Sequence, residues 1–475
     1  MGDRRPKLRK KEPFKWHKVA ETQTAYSLPP MQLPLFENLK NGNGNGQAAF
    51  RDPAFVENKN LPIHRWVPWI AGYSASFVDG VISAYVSHKK TALILDPFCG
   101  VGTTLLQAVL RGHETVGFEI NPYPALASRA KLNAPTIKLA DLDRAIVSMR
   151  RASAKWQNGL PSKDLQPPPL KSRLPFFSPN VEKQALHALS FINRLEPETI
   201  FDLFRIAFGA VMVSFSNYSY EPSLGSRPAV GKPLIEDADV GQVLFMKLSQ
   251  IRADIMWVQE EMQGKPLGKG KVINSDFFSA NDNLETGIVD LMVTSPPYMN
   301  NYHYVRNTRP QLYWLKFISS PGEQKYLETN NFGRYWQTVR DVKPIPLIFD
   351  HPQLERTLKR LRETRIDKGA YGGPGWANYV TSYFNDCSRF MSILKRVLSR
   401  GGVGVVVIGN SIIQGINIRT EEILGQIGTI QGLILEGVYC IREKRVGASI
   451  TQSSVRQGDR SNATLSESAV VVRKR

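Results

Sequence analysis

Three observations predict an α/β fold built on a mostly parallel sheet. Short apolar runs suited to buried strands recur at 92–95, 115–118, 288–293 and 403–408, with helically spaced stretches between them. The first run passes directly into Asp96-Pro97-Phe98-Cys99-Gly100-Val101-Gly102-Thr103-Thr104 and a helical stretch at 105–111. That is the strand, glycine turn and helix that bring a ligand to the edge of a doubly wound sheet. The second run ends in Glu119, followed by Ile120, where such sheets carry an acid for ribose hydroxyls.

In chain order, residues 1–51 predict a flexible basic leader. Arg4, Arg5, Lys7, Arg9, Lys10, Lys11, Lys15 and Lys18 face only Asp3 and Glu12, and an Asn-Gly repeat follows at 41–46. Such a composition buries little apolar surface. Residues 52–133 form the first part of the sheet domain: His64-Arg65-Trp66-Val67-Pro68-Trp69 leads into a short helix at 76–82, with Ser74 as a plausible N-cap. Another helix is expected at 125–132. From 134 to 270 the sheet pattern stops. Pro167-Pro168-Pro169 marks a break, and helical spacing at 181–195, 199–215 and 240–263 makes this a mainly helical insertion, since it is too long for a loop. Its polar and aromatic stretch from 216 to 220, running on to Arg227 and Lys232, reads equally as a nucleic-acid contact or an ordinary connection.

The sheet resumes over 271–318, with Asp276 and Phe277 at one strand end and Ser295-Pro296-Pro297-Tyr298 after the next. A second insertion spans 319–375. Arg356, Lys359, Arg360, Arg362, Arg365 and Lys368 lie there on an expected helix, either a solvated face or a DNA-contacting one. Residues 376–475 complete the domain with helices at 379–398 and 420–430, a strand at 403–408, and strands at 433–442 and 469–473 pairing as a terminal hairpin. Between these last two lies a polar stretch, 445–462, with Arg456 and Arg460.

The formal net charge of +19, from 61 basic against 42 acidic residues over 475, points to a polyanionic partner, with nucleic acid first. Cys99, Cys387 and Cys440 stand far apart, so neither a disulfide framework nor a cysteine metal site is expected. No apolar run approaches the roughly 20 residues of a membrane span, and the first residues lack a signal peptide's apolar core. A soluble, cytoplasmic protein without membrane partners is the expectation.

The Ser295-Pro296-Pro297-Tyr298 turn carries the chemistry. Consecutive prolines remove two backbone donors and fix two φ angles, leaving carbonyls and the Ser295 hydroxyl as acceptors beside an aromatic ring. Such a cluster suits a flat group with an exocyclic amine. Alone, a Pro-Pro turn more often just closes a strand.

Together these motifs resemble the S-adenosylmethionine-dependent amino-methyltransferases of DNA, the N4-cytosine and N6-adenine group. Residues 96–104 are similar to that family's cofactor loop and 295–298 to its catalytic motif. The resemblance implies a Rossmann-like methyltransferase domain, a mostly parallel seven-stranded sheet with an antiparallel terminal hairpin, interrupted here by two insertions. It implies S-adenosyl-L-methionine as cofactor, bound by Asp96, Phe98, Gly100, Gly102 and Thr103, with Glu119 and Ile120 at the ribose and Asp276 and Phe277 framing the adenine. Tyr73 and Ser74 match the family's first motif only loosely. Catalysis would fall to Ser295, Pro296, Pro297 and Tyr298, acting on double-stranded DNA with a flipped target base, with a cognate restriction endonuclease as candidate partner. Serine at the first catalytic position is more similar to N4-cytosine than to N6-adenine enzymes, which mostly carry Asp or Asn. The alternatives are an N6-adenine enzyme, an RNA methyltransferase of similar fold, and an inactive DNA-binding protein.

Overall fold

Valine-, isoleucine- and leucine-rich runs become the strands of one seven-stranded sheet: β1 Leu93–Asp96, β2 Glu114–Phe118, β3 Gly270–Ile273, β4 Val289–Thr294, β5 Leu398–Gly409, β6 Ile434–Arg445 and β7 Thr464–Arg473. A computed structural model describes residues 55–69, 72–157, 166–220, 223–300, 302–445 and 464–475. The expected leader and the polar stretch with Arg456 and Arg460 lie outside these residues. Strand order is β6-β7-β5-β4-β1-β2-β3. Strands β3, β2, β1, β4 and β5 pair in parallel, and β7 pairs antiparallel with both β5 and β6. This is a Rossmann-like methyltransferase architecture. The chain builds outward from β1 to β3, then returns to the other side of β1 as β4. That reversal opens a crevice at the carboxyl ends of β1 and β4, where open parallel sheets bind ligands.

Side-chain alternation divides the core between the two faces of the sheet. Ile94, Leu291, Val293, Val405, Val407 and Val471 pack with Phe77, Val78 and Val81 of α1, Ala75–Val86. Leu95, Met292, Val406, Ile408, Val470 and Val472 face the other way, toward the helices Gly373–Val397 and Thr420–Ile430. The first of these helices begins inside the stretch assigned from sequence to the second insertion.

The helical insertion contains α4 Leu139–Ser153, α5 Pro179–Ile192, α6 Glu198–Val211 and α7 Val240–Glu261, with α2 Thr103–Leu110 and α3 Pro122–Asn133 preceding them. A small hairpin, Tyr218–Tyr220 with Leu224–Ser226, interrupts the series. One core joins these helices to Ile63, Trp66, Leu106 and Tyr123, and to a helix over Tyr304–Trp314 absent from the sequence reading. Pro310 inside that helix disguised it, because proline usually ends a helical pattern. The third strand also differs: β3 ends at Ile273, and Phe277 opens a short 3-10 turn, Phe277–Ser279, with Asp276 before it. Among the described residues, no helix is long and apolar enough to cross a membrane.

Candidate active site

Where the chain reverses between β1 and β4, a cleft of about 520 Å³ opens. Its walls include Tyr73, Asp96, Phe98, Gly100, Thr103, Glu119, Ile120, Asp276, Phe277, Ser295, Pro296, Pro297 and Tyr298. Residues from five separate stretches of sequence thus converge on one space.

The β1–α2 loop is folded by its own backbone. The Gly102 N–H donates to the Cys99 carbonyl at 2.7 Å, and the Cys99 N–H to the Phe118 carbonyl at 2.9 Å. Gly100 and Gly102 have φ of +48° and +83°, where a side chain would be strained. Glu119, just beyond β2, accepts the Gly100 N–H at 3.0 Å and the Asn121 N–H at 2.8 Å. Burial nevertheless pushes its carboxyl up to about 7. Asp96, at the end of β1, accepts from Thr294 Oγ1 at 2.6 Å, the Phe98 N–H at 3.1 Å and the Tyr73 hydroxyl at 3.0 Å; burial raises its pKa despite these bonds. Tyr73 also stands 3.1 Å from the Val293 carbonyl and beside Thr104 Oγ1. The ends of β1 and β4 are therefore tied together beneath the cleft.

The Ser295-Pro296-Pro297-Tyr298 turn leaves β4 directly above that tie. Tyr383, on the Gly373–Val397 helix, donates its hydroxyl to the Pro297 carbonyl at 2.8 Å. Ser295 Oγ lies 3.5 Å from the Tyr298 hydroxyl, and burial raises the Tyr298 phenol well above its ordinary value. The Tyr298 ring lies over Gly409, where an added Cβ would come within 3.4 Å of it. Arg442 and Glu467, paired at 3.3 Å, close that side. Opposite, Phe277 meets the edges of Phe118 and Phe390 with ring centres 5.4 and 5.8 Å apart.

Two expected residues stand elsewhere. Ser74 is fully buried and its Oγ accepts the Phe77 N–H at 3.1 Å, so it caps α1 behind the cleft wall. Gly102 is the residue before α2, where an added Cβ would lie 2.8 Å from Ser128 Oγ; it permits close packing of loop on helix and does not line the cleft.

Other lining residues escaped the sequence reading. Tyr302 and Tyr304 follow the acceptor turn, with ring centres 4.9 Å apart, and Asn330, Asn331 and Phe332 reach in from the second insertion. Phe332 meets the edge of Phe98 at 4.9 Å and stacks on Phe278 at 6.2 Å. The aromatic run Tyr302-His303-Tyr304 was a visible signal. Phe332 carried none, since its place depends on the fold of the whole second insertion. Among the described residues, no cluster of three or more His, Cys, Asp or Glu could hold a metal ion.

The sheet order and a strand-end cleft joining a glycine loop to an acceptor turn define a Rossmann-like methyltransferase domain. In sequence the chain is similar to Type II methyltransferases. It is 25% identical over 279 residues to Type II methyltransferase M.BsoBI of Geobacillus stearothermophilus, covering 55% of this chain and 54% of that protein, about half its length. It is 22% identical over 436 residues to Type II methyltransferase M.AvaI of a Nostoc species and of Anabaena variabilis, covering 89% of this chain and 88% of those proteins. No protein-family model matches the chain. Among solved structures, the rRNA methyltransferase aviRa from Streptomyces viridochromogenes is 10% identical over 87% of this chain and 85% of that one, at a TM-score of 0.25, too low to bear on the fold. The chain is thus similar in sequence, over most of its length, to Type II methyltransferases.

Proposed function

We propose that the protein transfers a methyl group from S-adenosylmethionine to an exocyclic amino group of a base in DNA, with N4 of cytosine as the acceptor. One observation carries this reading: the glycine loop with Glu119, the Asp276-Phe277 corner and the Ser295-Pro296-Pro297-Tyr298 turn line the same cleft. The residues present fit the cofactor. Gly100 lets the backbone approach a ligand, its ideal Cβ position lying 3.5 Å from Trp69 Nε1, while carboxylates at Asp96 and Glu119 suit ammonium and ribose hydroxyl donors. Phe118, Phe277 and Phe278 offer ring walls for a purine.

When bound, S-adenosylmethionine supplies an electrophilic methyl on sulfur. An aromatic amine is a weak nucleophile because its lone pair is shared with the ring. Ser295 Oγ and the Pro296 carbonyl accept its two N–H bonds, favour a pyramidal nitrogen and stabilise the charge developing there. Tyr298 stacks on the base, which must leave the duplex stack to reach this depth. Tyr383 holds the Pro297 carbonyl, and with it the turn, in place. The nitrogen's surplus proton leaves to solvent once the new N–C bond has formed. Serine at the first position favours cytosine, by the resemblance noted above. A restriction endonuclease of the same site specificity is the partner this reading expects.

Nucleoside mass spectrometry of duplex DNA and of transfer RNA, each incubated with the protein and cofactor, tests this. N4-methylcytosine in DNA is expected. N6-methyladenine alone would overturn the base assignment, and label in RNA alone would overturn the substrate.

A further inference from the structure

The two insertions compete for the role of docking surface, and buried hydrogen bonds tie the first of them to the helix that follows the acceptor turn. Tyr302 and Tyr304 line the cleft, and the Tyr304–Trp314 helix follows at once. Thr308 on that helix accepts from Nδ2 of Asn121, itself a cleft residue, at 2.7 Å. One position earlier, Asn307 receives the first insertion: its carbonyl accepts the Tyr220 hydroxyl at 2.9 Å, and its Oδ1 accepts the Leu224 N–H at 2.9 Å. Gln311 Nε2 adds a bond to the Tyr220 hydroxyl at 3.3 Å. Asn307 and Gln311 are both buried, so the small hairpin is latched to the catalytic segment through groups that water does not reach.

The same latch carries cations. Arg309 Nη2 donates to the Lys171 carbonyl at 2.6 Å, and the Leu174 N–H donates to the hydroxyl of Tyr218 in the hairpin at 3.2 Å. Residues 171–174 therefore run beside both the helix and the hairpin, with Lys171 and Arg173 exposed. Arg306, one turn before Arg309, is exposed as well, and none of the three makes an ion pair among the described residues. The neighbouring acids are engaged: Glu323 accepts the Ser319 N–H at 2.8 Å, and Glu328 accepts from Gln324 at 2.8 Å. The Pro352–Arg362 helix also exposes Arg356, Lys359 and Arg360. Its buried Leu354, Leu358 and Leu361, however, join the core around the Gly373–Val397 helix, His351 at its start bonds Gln426, and no residue of it lines the cleft.

We propose that Lys171, Arg173 and Arg306 grip the phosphate backbone of a DNA duplex beside the flipped base, so that the first insertion, rather than the Pro352–Arg362 helix, seats the DNA. This rests on the DNA-methyltransferase reading. A grip latched to the residues just after the catalytic turn sets the distance from phosphate to active site. Phosphate contacts of this kind position the duplex without reading sequence.

The test is fluorescence anisotropy of a labelled duplex with the full chain over a salt series. Combined K171A, R173A and R306A is expected to weaken binding at least tenfold and to flatten the slope of log affinity against log salt by about 1 per side chain removed. Cofactor affinity by calorimetry and the melting temperature should stay as in the wild type. R306A alone should flatten the slope by about 1, guarding against a misfolded triple variant. Combined R356A, K359A and R360A should leave the slope near the wild-type value. A full slope in the first variant, or an equal or larger loss in the second, overturns the assignment. If the wild-type protein shows no salt-dependent duplex binding, the DNA reading fails together with it; duplex binding that the first variant retains defeats this inference alone.

Discussion

Glu119 shows how position within the sheet sets a residue's chemistry. Its carboxyl titrates near 7 in the folded chain against an ordinary 4.5, so between those values the folded chain holds more protons than the unfolded one. Stability contributed at this site therefore falls as pH rises from 4.5 to 7. The melting temperature of the wild type relative to Glu119→Gln should drop between about pH 5 and about pH 7.5, and a constant difference would contradict a raised pKa. In the proposed role, ionised Glu119 accepts ribose hydroxyls, so cofactor affinity measured by calorimetry should strengthen as pH passes upward through about 7. At the other wall, in the proposed role, Ser295→Ala removes one acceptor for the amino group. Turnover should fall by roughly a hundredfold while the cofactor dissociation constant stays within about twofold. A matching loss of cofactor affinity would place Ser295 on the wrong ligand. The acid and the serine were both legible in the sequence because each sits immediately after an apolar strand run, where a side chain must emerge at the sheet's edge.

Among the elements, helix ends were easier to read than long-range roles. Ser74 was visible both as an N-cap and as a loosely matched cofactor contact, and its hydroxyl is spent on the Phe77 N–H. Ser74→Ala should cost about 1 kcal/mol in urea unfolding and leave cofactor affinity unchanged. A weakened affinity with unaltered stability would reverse the two roles. The strands at 92–95, 288–293 and 403–408 were legible because parallel strands covered on both faces read as continuous apolar runs. The Tyr304–Trp314 helix was not: it is polar on average and holds Pro310, and it is stabilised by its neighbours, as in the Asn121 bond to Thr308 and the Gln311 bond to the Gly209 carbonyl.

Across the whole molecule, the first insertion is stitched to the sheet domain by contacts between residues up to 191 positions apart. Asp254 on α7 accepts the Ile63 N–H at 2.9 Å, Trp66 Nε1 at 3.0 Å and Arg65 Nε at 3.1 Å, and pairs with Arg65 Nη2 at 2.5 Å. Lys247 on the same helix donates to the Arg65 carbonyl at 3.1 Å. Asp254→Ala leaves a largely buried guanidinium and two buried donors without their acceptor, so unfolding free energy in a denaturant titration should drop by about 3–5 kcal/mol. A loss below about 1 kcal/mol would mean that the 63–66 segment is held by packing alone.

From the sequence alone came the α/β class, the glycine loop, the acid after β2 and the acceptor turn after β4. Each is a local pattern in which a few consecutive residues suffice to state a backbone need or a chemical capacity. Tertiary structure decided what stands across the cleft from what. It turned Ser74 and Gly102 inward, brought Phe332 from the second insertion against Phe98, and latched the hairpin of the first insertion to the helix that follows the acceptor turn. Those outcomes depend on pairs of residues far apart in the chain, and periodicity carries no information about such pairs until the sheet order brings them together.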